Sequence, residues 1–279
     1  MGHQVSIITV GMNHLKFLKD FFDSVFEQDA TTLDFEVIYV DNCSKDGSVE
    51  YIKGNYPKVR IIENEKPLGF GANNNKAAKF ADGKYLAILN PDIILKAGAL
   101  DKLYNYSESH TGWGVLAPKL LNADGTLQYS VRSFMTFRTM LSRLVTWGKD
   151  HTNNSEVNEY LCKESDDSVV RSVDWAIGAA LFIAADFFKE MNGFDEDYYL
   201  YLEDEDFCLR TWSENKEVIY IPDAEMKHMH LRSSTKFSRM TLIHFWSMLT
   251  YFRKHGLSVS REKIVGKIDK PVARLFSEA

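Results

Sequence analysis

Cysteine is scarce in this chain. Its 279 residues hold only Cys43, Cys162 and Cys208, an odd number with no Cys-x-x-Cys spacing. A disulfide framework and a structural zinc knuckle are therefore excluded, and a reducing, cytoplasmic setting is expected. Long apolar runs are also missing. The apolar, uncharged stretches 175–185 and 242–252 fall far short of the roughly 20 residues a spanning helix needs. No apolar stretch follows a basic head in the first residues, so no secretory leader is expected. Nor is there an excess of positive charge: 33 Lys and Arg against 39 Asp and Glu leave a net −6. The whole surface is thus no binder of nucleic acid, and any basic function must sit in a local patch. With 45% hydrophobic and 26% charged residues, disordered and fibrous classes are excluded as well.

What is present is a regular alternation. Val5-Ser-Ile-Ile-Thr-Val10 is a short run rich in β-branched residues, and 15–27 then places Leu15, Leu18, Phe22, Val25 and Phe26 at helical spacing. Strands are predicted at 35–40, 59–63 and 85–89, with helices at 48–56 and 71–81 between them. Strand–helix–strand units build a mostly parallel α/β sheet covered on both faces. Ligands of such sheets sit beyond the carboxyl ends of the strands. Three polar turns fall there: Asp41 to Gly47, Pro67 to Asn75, and Asn90-Pro91-Asp92. Each residue type also suits an ordinary turn or helix cap. Three such turns on one edge point to a site.

The second half is less regular. Residues 128–149 carry Arg132, Arg138, Arg143 and Lys149 among Phe134, Phe137, Leu141, Leu144 and Trp147, with no acid. They read as a basic amphipathic helix or pair of helices, and 150–167 as a mobile polar loop. Residues 173–183 read as a buried strand interrupted at Gly178, where a bulge or a closely approaching ligand would fit. Charge then segregates. Residues 186–206 hold nine acids and one lysine, whereas 226–261 hold seven Lys or Arg, four His and no acid.

Several side chains could carry chemistry. Asp92, at a strand's carboxyl end, suits Mg²⁺ or Mn²⁺ shared with phosphate oxygens. Glu203-Asp204-Glu205-Asp206 packs four carboxylates together. Glu205 and Asp206 fit a helix start, as helix-surface or positioning groups, with Asp206 and Arg210 an i,i+4 pair. Glu203 and Asp204, after an aromatic run, fit a general base in a partly apolar wall. His228 and His230 face one way on an extended segment and could complete a metal shell or bind phosphate. Lys227, Arg232, Ser233, Ser234 and Thr235 stand beside them.

These pieces together resemble the inverting family-two glycosyltransferases of GT-A fold, in particular the bacterial rhamnosyltransferase-like branch that builds surface polysaccharides. The matching motifs run in order from Val5 to about Ser234: Ser6-Ile-Ile-Thr-Val10, Val40-Asp41-Asn42-Cys-Ser44-Lys-Asp46-Gly-Ser48, Gly69-Phe-Gly-Ala-Asn-Asn-Asn75, Leu89-Asn-Pro-Asp92, Trp175-Ala-Ile-Gly178-Ala, Gly193-Phe-Asp195-Glu, Glu203-Asp204-Glu-Asp206, and Pro222 followed by His228. The resemblance implies that Asp41 bonds the nucleotide base and Thr9 lines the same pocket. Asn74, Asn75 and Gly178 would join the nucleotide-sugar site. Asp92 would stand for the metal-binding Asp of the family's Asp-x-Asp motif, with His228 a metal or diphosphate ligand. Asp204 would be the catalytic base and Glu203 its neighbour. Asn90 replaces the first Asp of that motif, which leaves the metal one charged ligand fewer.

The implied donor is dTDP-rhamnose or a UDP-hexose, with Mn²⁺ or Mg²⁺ as cofactor. The implied acceptor is a glycan or a polyprenyl-linked glycolipid at the inner face of a membrane. The expected organisation is a GT-A domain over 1–235, with a nucleotide half to about 95 and an acceptor half beyond it, then a helical extension over 236–279. The basic segments at 128–149 and 239–254 would meet a membrane, the protein's own core or a second subunit of a homo-oligomer. Two other classes stay open. A nucleotidyltransferase would also combine an α/β site with acidic ligands, but Val10-Gly-Met-Asn13 is no triphosphate loop. A sugar-nucleotide sensor or membrane scaffold would keep the fold without turnover.

Overall fold

Alternate residues decide which face of the sheet is filled. Along β1 (Val5–Gly11), Ile8 enters one core and Val5 and Ile7 the other. Along β2 (Phe35–Asp41), Ile38 and Val40 join the first core, Val37 and Tyr39 the second. A strand covered on both faces needs apolar residues at both parities. The computed structural model describes residues 2–27, 30–229 and 239–265. Its first elements follow the expected alternation to within a helical turn: α1 (Leu15–Phe26), α2 (Ser48–Asn55), β3 (Arg60–Glu63), α3 (Phe70–Ala78) and β4 (Tyr85–Leu89).

The chain continues through β5 (Ile93–Leu95), α4 (Ala99–Ser109), β6 (Trp113–Leu121), β7 (Val131–Arg132), α5 (Phe137–Val145), α6 (Ser155–Tyr160) and β8 (Arg171–Ser172). It ends in β9 (Trp175–Ala176), β10 (Ala180–Ala184), α7 (Ala185–Glu190), α8 (Glu203–Ser213), β11 (Glu217–His228), α9 (Arg239–His255) and α10 (Arg261–Val265). The main sheet has the order β3-β2-β1-β4-β10-β6-β11-β5, with β8 on β11. The expected parallel pairing holds for β3, β2, β1 and β4 and for β6 with β11. β10 runs against both of its neighbours, so the sheet is mixed beyond β4.

From β1 the chain steps outward to β2 and β3, then returns to place β4 on the other side. That reversal opens a crevice beyond the carboxyl ends of β1 and β4. The Asp41 turn and the Asn90-Pro91-Asp92 turn border it.

Three expectations are corrected. Residues 128–149 form no continuous helix: β7 puts Arg132 on a strand, Phe134 and Met135 are buried, and only α5 is helical. Residues 150–167 are no featureless loop. Asn154 caps α6 by accepting from the Val157 amide at 3.0 Å, and Val157, Tyr160 and Leu161 are buried at helical spacing. The surrounding charges mask that stripe in the sequence. Residues 173–183 break at Gly178 into strands of different sheets, β9 pairing β7 and β10 pairing β4 and β6.

At the C-terminal end, α9 buries Met248 and Tyr251 against the body. Lys254 pairs with Asp195 and Asp197, and Arg261 with Asp174 at 2.7 Å. The boundary expected near residue 235 lies outside the described residues, as do His230, Arg232, Ser233, Ser234 and Thr235. Among the described residues no helix is long and apolar enough to cross a membrane.

Candidate active site

The ends of β1 and β2 leave polar atoms unspent. Thr9 is fully buried, and its Oγ1 has no partner among the described residues. Asp41 pairs in register with Gly11; its Oδ2 accepts the Ser44 amide at 2.9 Å, while the buried Oδ1 has no such partner. An unsatisfied buried acceptor costs about 1–3 kcal/mol unless a ligand supplies the donor.

The asparagine run has a different use from the one expected. Asn73 is buried and donates to Leu68 O and Gly69 O, while Asn64 and Asn42 close a ring of amides around the same turn. Asn75 holds the Phe194 backbone from both sides, accepting its amide and donating to its carbonyl, each at 2.8 Å. It is therefore a clamp on the 193–197 turn, not a free sugar ligand. Asn74 donates to Phe70 O at 2.9 Å and keeps a buried Oδ1 without a partner among the described residues. Gly69 belongs to the same platform. A Cβ there would stand 2.4 Å from the Tyr199 carbonyl, and the next amide, Phe70 N, donates to that carbonyl at 2.9 Å.

Strand pairing brings the two proposed metal ligands together. His228 is in register with Ile93, next to Asp92, and its Nε2 lies 3.3 Å from Asp92 Oδ1. Its Nδ1 sits 2.9 Å from Gln128 Oε1, a contact that fixes the ring. Burial acts to raise the Asp92 carboxyl, but the hydrogen bond and charge of His228 outweigh it and hold Asp92 below the usual range. His14, unremarked in the sequence, is within electrostatic reach of Asp92, and burial keeps its imidazole low. A carboxylate and an imidazole side by side suit a hard divalent ion that completes its shell with phosphate oxygens and water. Among the described residues no group of three or more His, Cys, Asp and Glu gathers around one point. The fit is to an ion shared with a diphosphate ligand, not to a closed protein cage.

The start of α8 is strained. Tyr201 and Leu202 take φ values of 72° and 70°, a left-handed conformation that costs a non-glycine residue roughly 1–2 kcal/mol. The buried Leu202 side chain holds the turn, which aims the next two carboxylates inward. Asp204 is half-buried: Oδ2 accepts the Gly178 amide at 2.7 Å and Oδ1 the Glu205 amide at 2.9 Å. Burial holds its carboxyl above the ordinary range, against the opposing pull of both amides and the nearby Arg132 cation. Glu203 is 3% exposed, with an Oε2 that has no partner among the described residues. Burial and the Asp204 charge push it well up. Of the two, Asp204 is the carboxylate equipped to be ionised.

The other two acids leave the surface. Glu205, expected on the outside of the helix, is fully buried, accepts the Met135 amide at 2.5 Å and is pushed by burial up to about 8. Asp206 pairs with Arg210 at 2.8 Å as expected, and also with His255 of α9 at 2.7 Å. Arg210 extends the clamp to Met191 O and Gly193 O, each at 2.9 Å. Arg132 is the residue that sequence reading missed. Strand β7 carries it to the Tyr160 and Trp175 rings, at 5.6 and 5.4 Å, within electrostatic reach of Asp204. Only the pairing of β7 with β9 reveals this.

Asp204 and the Asn90-Pro91-Asp92 turn share one piece of backbone. Gly178 N donates to Asp204, and the next carbonyl, Ala179 O, accepts Asn90 N at 2.8 Å.

A relative of 28% identity over 273 residues is the rhamnosyltransferase WbbL of Escherichia coli K12, matched over 91% of this chain and 95% of that one. N-acetylglucosaminyl-diphospho-decaprenol L-rhamnosyltransferase of Mycobacterium tuberculosis H37Rv is 28% identical over 217 residues, 74% of this chain and 70% of its own. Among solved structures, Staphylococcus aureus TarS 1–349 in complex with UDP-GlcNAc superposes with a TM-score of 0.62 at 16% identity, covering 95% of this chain and 71% of that one. GalNAc-T7 with UDP, GalNAc and Mn²⁺ gives 0.63 at 16% identity over 85% of this chain, which spans 45% of it. The fold is thus the GT-A α/β fold. The family model for glycosyl transferase family 2 matches residues 6–166, more than half of the chain, and the chain belongs to that family.

Proposed function

We propose that this chain moves a sugar, with inversion, from a nucleoside-diphosphate sugar to a hydroxyl of a glycan or polyprenyl-linked glycolipid. The observation that carries the reading is Asp204. It is a carboxylate held by two amides, joined through Gly178 and Ala179 to the turn that bears Asp92. Asp204 takes the proton from the acceptor hydroxyl as the oxygen attacks the anomeric carbon. The carbon–diphosphate bond breaks on the opposite face, and the leaving diphosphate keeps the bonding pair. One in-line displacement inverts the centre and needs no covalent nucleophile. Asp41 and Thr9 offer free polar atoms to the nucleotide base, fixing the donor so that attack becomes effectively intramolecular. Asp92 and His228 would hold Mn²⁺ or Mg²⁺, which when bound supplies positive charge against the diphosphate.

The rhamnosyltransferase names of two relatives support a rhamnose donor; the donor proposed is dTDP-rhamnose or a UDP-hexose. The name of the mycobacterial relative supports a polyprenyl-diphosphate-linked acceptor; work in surface polysaccharide synthesis at a cytoplasmic membrane face is part of the same proposal. The test is a panel of sugar nucleotides incubated with lipid-linked or free glycan acceptors, with and without Mn²⁺. The expected product carries the opposite anomeric configuration and releases nucleoside diphosphate. Pyrophosphate release from a nucleoside triphosphate would indicate a nucleotidyltransferase instead. Donor binding without turnover on any acceptor would leave a sugar-nucleotide sensor.

A further inference from the structure

Many of the large apolar side chains left in solvent lie on two helices and the turn after one of them. Along α9, Leu242, Phe245, Trp246 and Leu249 recur at the spacing of one helical stripe, each 44–66% exposed. Met248 and Tyr251, on the opposite side, are buried, so the helix is apolar on both faces and only one is buried among the described residues. Helix α5 repeats the pattern with Leu141 and Leu144, and the turn after it presents Trp147 at 88% exposure. That turn is built, not frayed: Arg143 donates to Gly148 O at 2.8 Å and to Lys149 O at 3.0 Å. The two helices are neighbours, since Phe137 and Phe252 meet at 6.2 Å and Phe137 N donates to Leu257 O at 2.9 Å. Their exposed apolar residues therefore lie on two helices that touch.

Within the two helical segments the charge has one sign: neither 128–149 nor 239–261 contains an acid, although acids of other segments, Glu156, Asp195 and Asp197, pair with several of their cations. Arg138 and Arg253 keep 85% and 73% of their side chains exposed although Glu156 and Asp197 lie beside them, and Lys149 is exposed too. A symmetric contact between two copies would set these cations against their own counterparts. A surface of anionic lipid headgroups meets both features at once, taking the aromatic side chains into the interface and the cations into its negative potential.

We infer that the α5–α9 face is a docking surface for an anionic lipid bilayer. Its position bears on the reaction proposed above, and only that bearing rests on the transferase reading. Ser247 of α9 donates to Leu200 O at 2.8 Å, and His244 packs on the Tyr201 ring at 4.8 Å. Those loop residues lead directly into Glu203 and Asp204. A bilayer on this face therefore lies against the loop that carries the base, where a lipid-linked acceptor hydroxyl has to arrive.

The experiment is flotation of the full chain with vesicles of phosphatidylcholine and phosphatidylglycerol in equal parts, at low salt. Tryptophan fluorescence is followed in parallel. Wild type should co-float and shift its emission to the blue, with weaker binding to pure phosphatidylcholine and in high salt. Trp246→Glu and Trp147→Glu change exposed positions, so the melting temperature should hold while vesicle affinity falls on the order of tenfold for each. Wild type that stays with the soluble fraction overturns the inference. So does a double variant that floats as well as wild type. A wild-type dimer dispersed by Trp246→Glu, without flotation, assigns the face to a second copy and also overturns it. Flotation without transfer to any acceptor leaves the docking surface standing and removes the proposed reaction.

Discussion

The Gly178 amide donates to Asp204 Oδ2 across 2.7 Å, joining two residues on different elements at the centre of the site. The bond favours the ionised carboxylate and fixes its direction. Asp204→Asn keeps the shape and removes the basicity. Turnover should fall by roughly 10²- to 10⁴-fold, with nucleotide-sugar affinity nearly unchanged. Single-turnover kinetics together with donor titration checks this. Retention of more than about a tenth of turnover moves the role to Glu203. Gly178→Ala probes the same contact from the other side. Its Cβ would stand 3.2 Å from the Phe70 ring and 3.3 Å from Asp204 Cβ, so the base must shift by a few tenths of an ångström. A loss in kcat of about tenfold is expected, since reacting groups tolerate little displacement.

Asp92 and His228, 3.3 Å apart, should act as one unit. Asp92→Ala should weaken donor binding mainly when Mn²⁺ or Mg²⁺ is present, and His228→Ala should act in the same direction. The double variant should lose little more than either single one, because groups sharing one ion do not contribute independently. Calorimetric titration of nucleoside diphosphate with and without metal measures it. An equal loss in both conditions would make Asp92 a structural turn residue.

Glu205 sets a pH dependence of stability. Its folded pKa of about 8 lies above the ordinary value of 4.5, so between these values the folded state holds a proton that the unfolded chain has released. Stability contributed by this group is full below the lower value and falls as pH rises through the window, by about 1.4 kcal/mol per unit of separation. Glu205→Gln keeps an acceptor for the Met135 amide and removes the titration. Urea midpoints should nearly coincide at about pH 5 and favour the variant at about pH 9. Parallel curves for the two proteins would contradict the burial.

Asp206 works the opposite way. Burial alone would raise its carboxyl, but His255 and Arg210 hold it low, so its contribution is present above the unfolded carboxylate range and lost as pH falls through the folded pKa. Asp206→Asn leaves the Arg210 charge without its partner and releases one tether of α9. A cost of about 2–4 kcal/mol in urea unfolding is expected. Hydrogen exchange at the C-terminal end of α9 should quicken more than in α8.

Much of the N-terminal half is legible in the sequence because its signals are local. Short β-branched apolar runs in 5–10 and 35–40, helical spacing in 15–27, and the turn residues Asp41 and Asp92 depend only on chain geometry within a few positions. The i,i+4 relation of Asp206 and Arg210 is local in the same way. Four carboxylates in a row announce a site, but their types cannot tell which is ionised. That depends on depth and on donors from elsewhere: Gly178 for Asp204, Met135 for Glu205, and His255 for Asp206. The sequence reads Arg132 as a cation on an amphipathic helix, and the family resemblance puts Asn75 at the nucleotide-sugar site. Strand pairing made the first a neighbour of the base, and a backbone clamp used up the second. Secondary structure follows from short-range sterics and periodicity, whereas the ionisation and direction of a side chain follow from the dielectric and donors that distant segments bring to it, and those exist only after the chain has closed on itself.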